Sequence, residues 1–339
     1  MATMKQVRLH GVDDLRFDER PAPVPGPSDV VVRVAACGIC GSDLGYAAQG
    51  GLAPGRNEPL ALGHEFSGVI AATGAEVRDL APGMRVVVNP DFNMIGSGAP
   101  EGGFAPLVLV RNARRGAAIH VIPESLPTDI AALAEPLAVA LHGVTRAEVG
   151  PGSKVVVLGA GPIGLGAVVA LRYRGVTNIV SVDLSPRRLT AARRLGASHT
   201  VNPREQDLYE ALAAIHGGGQ RYRWPVVRTD AFIDAAGSAP ALEQAVTLAR
   251  LGARLVIVAL YKKPAPIDLL QVMAKELVIT GSIAYPADEF AEVVAMLAAG
   301  EVDVSPMISH RFAFDEFPTA FATARDTAQA LKVMVQFPN

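Results

Sequence analysis

Two cysteines, Cys37 and Cys40, are all that 339 residues contain. A disulfide framework is therefore excluded, as is a four-cysteine zinc knuckle, and a reducing cytoplasm is the expected compartment. Charge is scarce as well. Charged residues make up 19% of the chain, and 31 Lys+Arg nearly balance 33 Asp+Glu for a net charge of −2. With basic clusters no longer than Arg114-Arg115 and Arg187-Arg188…Arg193-Arg194, no nucleic-acid surface is expected. The longest uncharged stretch, Val155 to Leu171, is broken by glycines and Pro162 and falls short of the ~20 apolar residues that span a bilayer. Met1-Ala-Thr-Met-Lys-Gln6 lacks the basic-then-apolar pattern of a secretion signal, so no membrane association is expected. Half of the residues are hydrophobic, which excludes a disordered chain and predicts a large core, with length enough for two domains.

That uncharged stretch carries a turn. Val155, Val156, Val157 and Leu158 form a short apolar run rich in β-branched residues, the pattern of a fully buried parallel strand. Gly159, Gly161 and Gly164 follow as G-x-G-x-x-G, with Pro162 and Ile163 inside the motif, and apolar residues continue at helical spacing to Leu171. Strand, turn and helix in that order predict dinucleotide binding. The first glycine allows the tight bend, the second lets the backbone approach a pyrophosphate, and the third lets helix and strand pack closely. The pyrophosphate is expected on the free N–H groups at the helix start. A second apolar strand, Asn178–Val182, ends in Asp183, about 20 residues beyond the glycines, where a carboxylate binds the ribose 2′-hydroxyl of NAD and repels the phosphate of NADP. NAD is the expected cofactor, a preference that Arg187 and Arg188 weaken.

From Met4 to about Arg111 the pattern is β-rich, with strands expected at Val30–Ala36, Phe66–Ala72 and Met84–Val88. Polar residues stand where a plain β-barrel core has no need of them. Cys37-Gly-Ile-Cys40-Gly-Ser42-Asp43 is a buried thiol pair, a redox pair or part of a metal site. Gly63-His64-Glu65 sets adjacent His and Glu on a turn into a strand, although a lone His is more often structural than a ligand. Glu135 opens the apolar helical run Ala134–Gly143, where a carboxylate either reaches the surface or pairs with a cation. One thiolate, one imidazole and one or two carboxylates suit a borderline ion such as Zn²⁺, and three protein ligands leave open the fourth position that catalytic zinc requires.

Taken together and in this order, Cys-Gly-Ile-Cys-Gly-Ser-Asp, Gly-His-Glu, Glu135-Pro-Leu-Ala-Val-Ala-Leu-His142-Gly and Gly-Ala-Gly-Pro-Ile-Gly make the chain resemble a zinc-dependent medium-chain alcohol dehydrogenase of the polyol, butanediol and threonine dehydrogenase branch. The resemblance covers essentially the whole length, including Ile308-Ser-His-Arg-Phe312. It implies a Rossmann doubly wound parallel sheet, residues 141–286, inserted into a β-rich GroES-like catalytic domain formed by 1–140 and 287–339, with the substrate cleft between them. It also implies that Cys40 and His64 are zinc ligands, with Glu135 and Glu65 as the carboxylates that complete the site. Asp43 then orients the ligand His, Ser42 takes the substrate's proton, and Cys37 is a plain buried thiol. His142 is implied to be structural or on the cofactor side. Backbone around Val258, Ala259, Leu260, Ser282, Ile283 and Ala284 is implied to contact the nicotinamide.

The chain departs from that pattern in places. Asn89–Gly98 is short and has no cysteine where relatives carry a structural zinc lobe, so one catalytic zinc per subunit is expected. Gly45, followed by Tyr46, stands where relatives carry a proton-relaying His. Gly217–Arg228, with the only Trp, is expected to be an exposed loop, or else an oligomer contact or part of the adenine rim. The expected activity is NAD-linked oxidation of a secondary alcohol, vicinal diol or polyol to its ketone, in a homodimer or homotetramer. Two competing readings are a zinc-free NADPH-dependent enone or quinone reductase and a non-catalytic nucleotide-binding protein that kept the fold.

Overall fold

Runs of β-branched residues such as Val30-Val31-Val32 and Val86-Val87-Val88 lie in strands of the amino-terminal third. In the computed structural model, which describes residues 2–52 and 58–338, β1 (Thr3–Gly11) pairs with β2 (Asp14–Pro21), and β3 (Val30–Gly38) leads through Cys40 into helix α1 (Gly41–Gln49). The short β4 (Leu60–Ala61) precedes β5 (Glu65–Thr73), β6 (Arg85–Val88), β7 (Leu107–Val110) and β8 (Ile119–Val121), and one helical turn, α2 (Thr128–Ala131), closes this part. Three of these are the strands expected from the pattern, each shifted by a residue or two at its ends.

Strand and helix then alternate. Helix α3 (Ala134–Ala147) precedes β9 (Lys154–Leu158), α4 (Pro162–Tyr173), β10 (Asn178–Val182), α5 (Pro186–Arg194), β11 (His199–Val201) and α6 (Leu208–His216). A hairpin follows, β12 (Gly218–Arg221) and β13 (Trp224–Val227), and after it β14 (Ala231–Asp234), α7 (Ala239–Leu248), β15 (Arg254–Ile257), α8 (Leu269–Ala274) and β16 (Val278–Gly281). The chain ends with α9 (Ala287–Ala299), β17 (Ile308–Ala313), α10 (Phe317–Arg325) and β18 (Lys332–Gln336).

These elements divide into two units, one of Met1–Glu135, Phe290–Glu301 and Ile308–Asn339, the other of Pro136–Glu289 and Val302–Met307. The first has a three-stranded sheet, β2-β1-β4, and a seven-stranded sheet in the order β17-β18-β3-β5-β6-β8, with β7 on β3. Val32, Phe66, Val86, Phe104, Phe317 and Val335 are among its buried core residues. The second is built on a parallel six-stranded sheet, β11-β10-β9-β14-β15-β16, the doubly wound order in which ligands sit beyond the carboxyl ends of the strands. The polyol-dehydrogenase architecture expected from the motifs, a β-rich GroES-like part and a Rossmann part, is present.

One expectation is corrected. Gly217–Arg228 is no irregular loop; most of it is the β12–β13 hairpin, in register from Gly218↔Val227 to Arg221↔Trp224. Tyr222 takes the left-handed conformation (φ 53°) in the two-residue turn, and the Arg221 and Arg223 guanidinium groups lie 4.6 and 5.0 Å from the Tyr222 and Trp224 rings. The hairpin leads into the amino end of β14, whereas the glycine turn lies at the carboxyl end of the neighbouring β9. A place at the adenine rim is therefore excluded.

Candidate metal centre and nucleotide-binding turn

The polar residues of the first unit are set by two backbone features. Gly63 has φ +91°, and a Cβ there would lie 2.8 Å from Phe104 N and 3.0 Å from Cys37 Sγ, so only glycine makes this turn. The turn delivers His64 and Glu65 to the start of β5. Cys40 is the N-cap of α1, where Asp43 Oδ2 accepts its backbone N–H at 2.8 Å and Oδ1 accepts that of Gly63 at 3.4 Å. One buried carboxylate thus ties the cysteine turn to the histidine turn. Ser42, in the first turn of the same helix, is half-buried.

Within this frame one ligand atom each from Cys40, His64 and Glu65 lies within 4.8 Å of the others, the one group of its kind among the described residues. Two of their atoms have no partner. Glu65 Oε2 is buried and unbonded, and so is His64 Nδ1, which points at Asp43 Oδ1 from 3.8 Å, too far for a hydrogen bond. A buried polar atom left without a partner is costly unless something else binds there. A thiolate, an imidazole and a carboxylate converging in this way match the donor count of catalytic zinc, for which alcohol dehydrogenase is itself a standard example. Glu135, expected as a ligand, is not part of this trio. It is buried in the first turn of α3, close enough that His64 and Glu65 both act on its charge.

Burial and neighbouring charges act together on the ionisable groups here. Burial pushes the Glu135 carboxyl up to about 7, against the pull of His64. Burial would lower the His64 imidazole, but Cys40, Asp43 and Glu135 together raise it well above its ordinary range. Cys37 is pushed well up, first by burial and then by Asp43 and Glu65, as suits a packing thiol with no ligand role. The charges of the site include one that sequence reasoning missed. Lys332, at the start of β18 and fully buried, donates to Glu65 Oε1 at 2.5 Å and to the Ile39 carbonyl at 3.1 Å. Gly38 leaves room for this pair, since a Cβ there would stand 2.1 Å from Glu65 Oε2. A lone lysine opening an otherwise apolar strand was the available signal.

The second unit holds the glycine turn at the carboxyl end of β9. Gly159 has φ +87° with Ala236 backbone within 2.9 Å of a would-be Cβ, and a Cβ on Gly164 would strike Gly159 O at 1.8 Å. Gly161 differs. A Cβ there meets only Arg188 Nη1, at 3.8 Å, so the backbone ahead of α4 is open to a ligand while α4 presents its first free N–H groups, those of Ile163 and Gly164 beyond Pro162. Asp183 is fixed beside it, accepting from Ala160 N at 2.7 Å and Ser185 N at 2.8 Å, with Arg188 Nη1 at 3.9 Å. Val258 and Ala259 both donate their N–H to Asp234 O at 3.0 Å, and Leu260 is exposed beyond them. Ser282 donates to Ile257 O at 2.9 Å, Ile283 is exposed, and Ala284 is held at φ +51°, a conformation that costs a non-glycine residue roughly 1–3 kcal/mol. All of these lie at the carboxyl ends of the parallel strands. His142 Nδ1 is 3.0 Å from Glu289 Oε2, a hydrogen-bonded contact between α3 and α9.

Comparison with known proteins gives the family and the fold. Residues 26–122 match the alcohol dehydrogenase GroES-like domain and residues 162–299 match zinc-binding dehydrogenase. Sorbitol dehydrogenase of Bacillus subtilis strain 168 is 32% identical over 99% of this chain and 98% of its own. The chain belongs to the zinc-dependent medium-chain alcohol dehydrogenase family. Within that family it stands near the polyol and butanediol branch. The crystal structure of 2R,3R-butanediol dehydrogenase from Bacillus subtilis superposes with a TM-score of 0.86 at 31% identity, covering 99% of this chain and 100% of that one. A zinc-binding-dehydrogenase structure from Sinorhizobium meliloti 1021, bound to NADP, gives the same score, identity and coverage.

Proposed function

We propose that this family member is a zinc-dependent, NAD(H)-linked dehydrogenase that interconverts a secondary alcohol, vicinal diol or polyol with its ketone. The observation that carries the reading is the convergence of Cys40, His64 and Glu65 around the buried, unpartnered Glu65 Oε2. Cys40, His64 and a carboxylate from Glu65 or Glu135 would hold one zinc ion. When bound, the ion supplies Lewis acidity toward an alcohol oxygen and the nicotinamide supplies the hydride acceptor. Lys332 holds Glu65 by one oxygen and leaves the other available. Asp43, which accepts the backbone N–H groups of Cys40 and Gly63 and faces the His64 ring from 3.8 Å, would position the cysteine and histidine turns for the metal. Ser42 Oγ, two residues from Cys40 on the same helix turn, receives the substrate hydroxyl proton. The names of the relatives, sorbitol and butanediol dehydrogenases, support a diol or polyol as substrate.

Gly161, Ile163 and Gly164 would hold the pyrophosphate, and Asp183 the adenosine ribose. Asp183 supports NAD, since a 2′-phosphate would meet its fixed carboxylate. Arg188 and the NADP-bound relative make the choice worth measuring directly. A homo-oligomer is supported by the free edge strand β16, where Val278, together with Leu260, Leu269, Met273 and Ile283 nearby in sequence, is exposed.

The test is zinc analysis beside turnover of 2-butanol, 2,3-butanediol and sorbitol with NAD and with NADP. One zinc per chain, loss of turnover on chelation and recovery on adding zinc are expected. Full activity in a zinc-free Cys40→Ala protein would refute the reading. Sedimentation analysis checks the oligomer, for which a monomer at micromolar concentration is the adverse result.

A further inference from the structure

Strand β3 changes partner part-way along. Val30–Arg33 pair with β7 and Ala36–Gly38 with β18, on the same edge, since β5 occupies the other edge throughout. At the change-over Val34 N donates to Pro106 O and Phe337 N to Ala35 O, both at 3.0 Å. Pro106 and Pro338 have no N–H with which to extend either pairing. A cavity of about 560 Å³ lies here, lined by Arg33, Pro106 and Phe337 from the change-over and by Arg311, Phe312 and Asp315 from β17 and the turn after it. That volume falls within the roughly 300–1,000 Å³ of sites that hold small organic ligands. Every lining residue belongs to the first unit, and Gln336, also in the wall, stands four residues along β18 from Lys332, roughly 13 Å. The cavity is thus separate from the metal centre. Its aromatic wall is firm: Phe314 and Phe337 stack with centroids 4.6 Å apart, and both are part of the buried core. Its cations are placed differently. Arg311 Nε and Nη2 each lie 2.7 Å from Asp129 Oδ2, which fixes the guanidinium and leaves Nη1 uncommitted among the described residues. Arg33 is exposed and makes no hydrogen bond or ion pair among the described residues. The acids are offset, because Asp315 lies 4.0 Å from Lys5, Asp129 holds Arg311 and Glu316 accepts the Ala313 N–H at 2.9 Å. Arg33 is the charge left over.

We propose that this notch is a second ligand site, which takes a carboxylate of single negative charge with an apolar body. Arg33, with Arg311 in the same wall, binds the carboxylate through charge-assisted N–H···O bonds, for which a planar guanidinium is suited. Phe312, Phe337 and Pro106 cover the apolar body. One uncompensated cation beside Asp315 selects a single charge, since a phosphate dianion would bring a second charge with no cation to meet it. The site depends on neither the zinc ion nor the alcohol reading above.

The test is calorimetric titration of the zinc-loaded full chain with 2-naphthoate and with octanoate, which separate an aromatic body from an aliphatic one. The neutral 2-naphthalenemethanol and the dianionic 2-naphthyl phosphate serve as comparisons. One of the carboxylates should bind at one site per chain, about tenfold more tightly than either comparison compound. Arg33→Gln should weaken the carboxylate about tenfold, the scale of one charge-assisted contact, and leave the neutral alcohol as it was. Ala313→Phe, which adds a ring at the cavity wall, should weaken both. His64→Gln should bind the carboxylate as wild type does, and Arg33→Gln should keep its kcat/KM for 2,3-butanediol. Loss of carboxylate binding in His64→Gln would put the ligand on the metal centre and overturn the proposal. So would equal affinity in wild type and Arg33→Gln, equal binding of acid and alcohol, or no binding of either carboxylate.

Discussion

Two histidines lie in polar centres inside this protein, one in each unit, and they are opposites. His216 is 1% exposed and both of its ring nitrogens are occupied: Nδ1 is 2.8 Å from Thr229 Oγ1 and Nε2 is 3.0 Å from Asn178 Oδ1. Because the asparagine oxygen can only accept, Nε2 carries the proton and Nδ1 accepts from the threonine hydroxyl. That ring is complete and neutral. His64 is 8% exposed, its Nδ1 has no partner, and it sits among Cys40, Asp43, Glu65 and Glu135. A histidine whose bonding is closed by its own fold has no nitrogen left for a ligand; His64, with an unpartnered nitrogen among anions, keeps one. The same contrast divides the buried lysines. Lys332 faces a carboxylate and its ammonium is held charged, whereas Lys275 donates to the Val246 and Thr247 carbonyls and to Gln271, with no acid in contact, and burial pulls it down to about 8.

The sharpest way to break this comparison is to exchange the fates of the histidines. His64→Gln should lower bound zinc to below a tenth per chain and cut kcat/KM by about a thousandfold or more, the scale for losing the group that stabilises charge in the reaction. His216→Gln, which can still reach Thr229 or Asn178, should stay within about threefold of wild-type kcat/KM. Zinc analysis and steady-state kinetics on both proteins decide it, and a catalytic collapse in His216→Gln with its fold intact would erase the distinction.

The lysines give the next effect in size. Lys332→Met leaves the Glu65 carboxylate buried without its cation, a loss of about 3–5 kcal/mol on the usual scale for breaking a buried pair. Lys275→Met removes a cap from carbonyls near the end of α7 and should cost about 1–3 kcal/mol. Denaturant unfolding of the two variants measures the difference. Equal losses would show that the carboxylate partner is unimportant.

What could be read beforehand follows from which residues are forced by backbone chemistry. The glycine turn was legible because Gly159 and Gly164 have no alternative, and Asp183 because an acid at the end of an apolar strand stands out. Cys40, His64 and Glu65 were legible as donor types in a region with no other use for them. Lys332 was not, since its meaning comes from Glu65, 267 residues away, and no local pattern ties the two. The hairpin was taken for a loop because three glycines in a row hide a short strand, which is ordered by its pairing, by arginine–aromatic stacking and by packing of β12 and β13 on α6 and of β13 on α7.

The smallest expected effect is the pH dependence of the closed centre. Burial, reinforced by Lys154, lowers the His216 imidazole to about 4, against roughly 6.5 for a histidine in an unfolded chain. Between those two values the unfolded chain binds a proton that the folded one does not, so stability falls as pH falls through that window. The contribution is whole above about pH 6.5 and spent near pH 4, and at its upper bound the difference is about 3 kcal/mol. Replacing His216 with glutamine removes the titration while keeping an amide that can bond either partner. Denaturation midpoints measured from pH 4 to 7 should therefore fall less steeply for His216→Gln than for wild type. Both proteins are compared in the presence of a chelator, so that metal binding adds no slope of its own and only His216 distinguishes them. Parallel curves would mean that the ring accepts a proton inside the fold, and that the centre is as open as the one around His64.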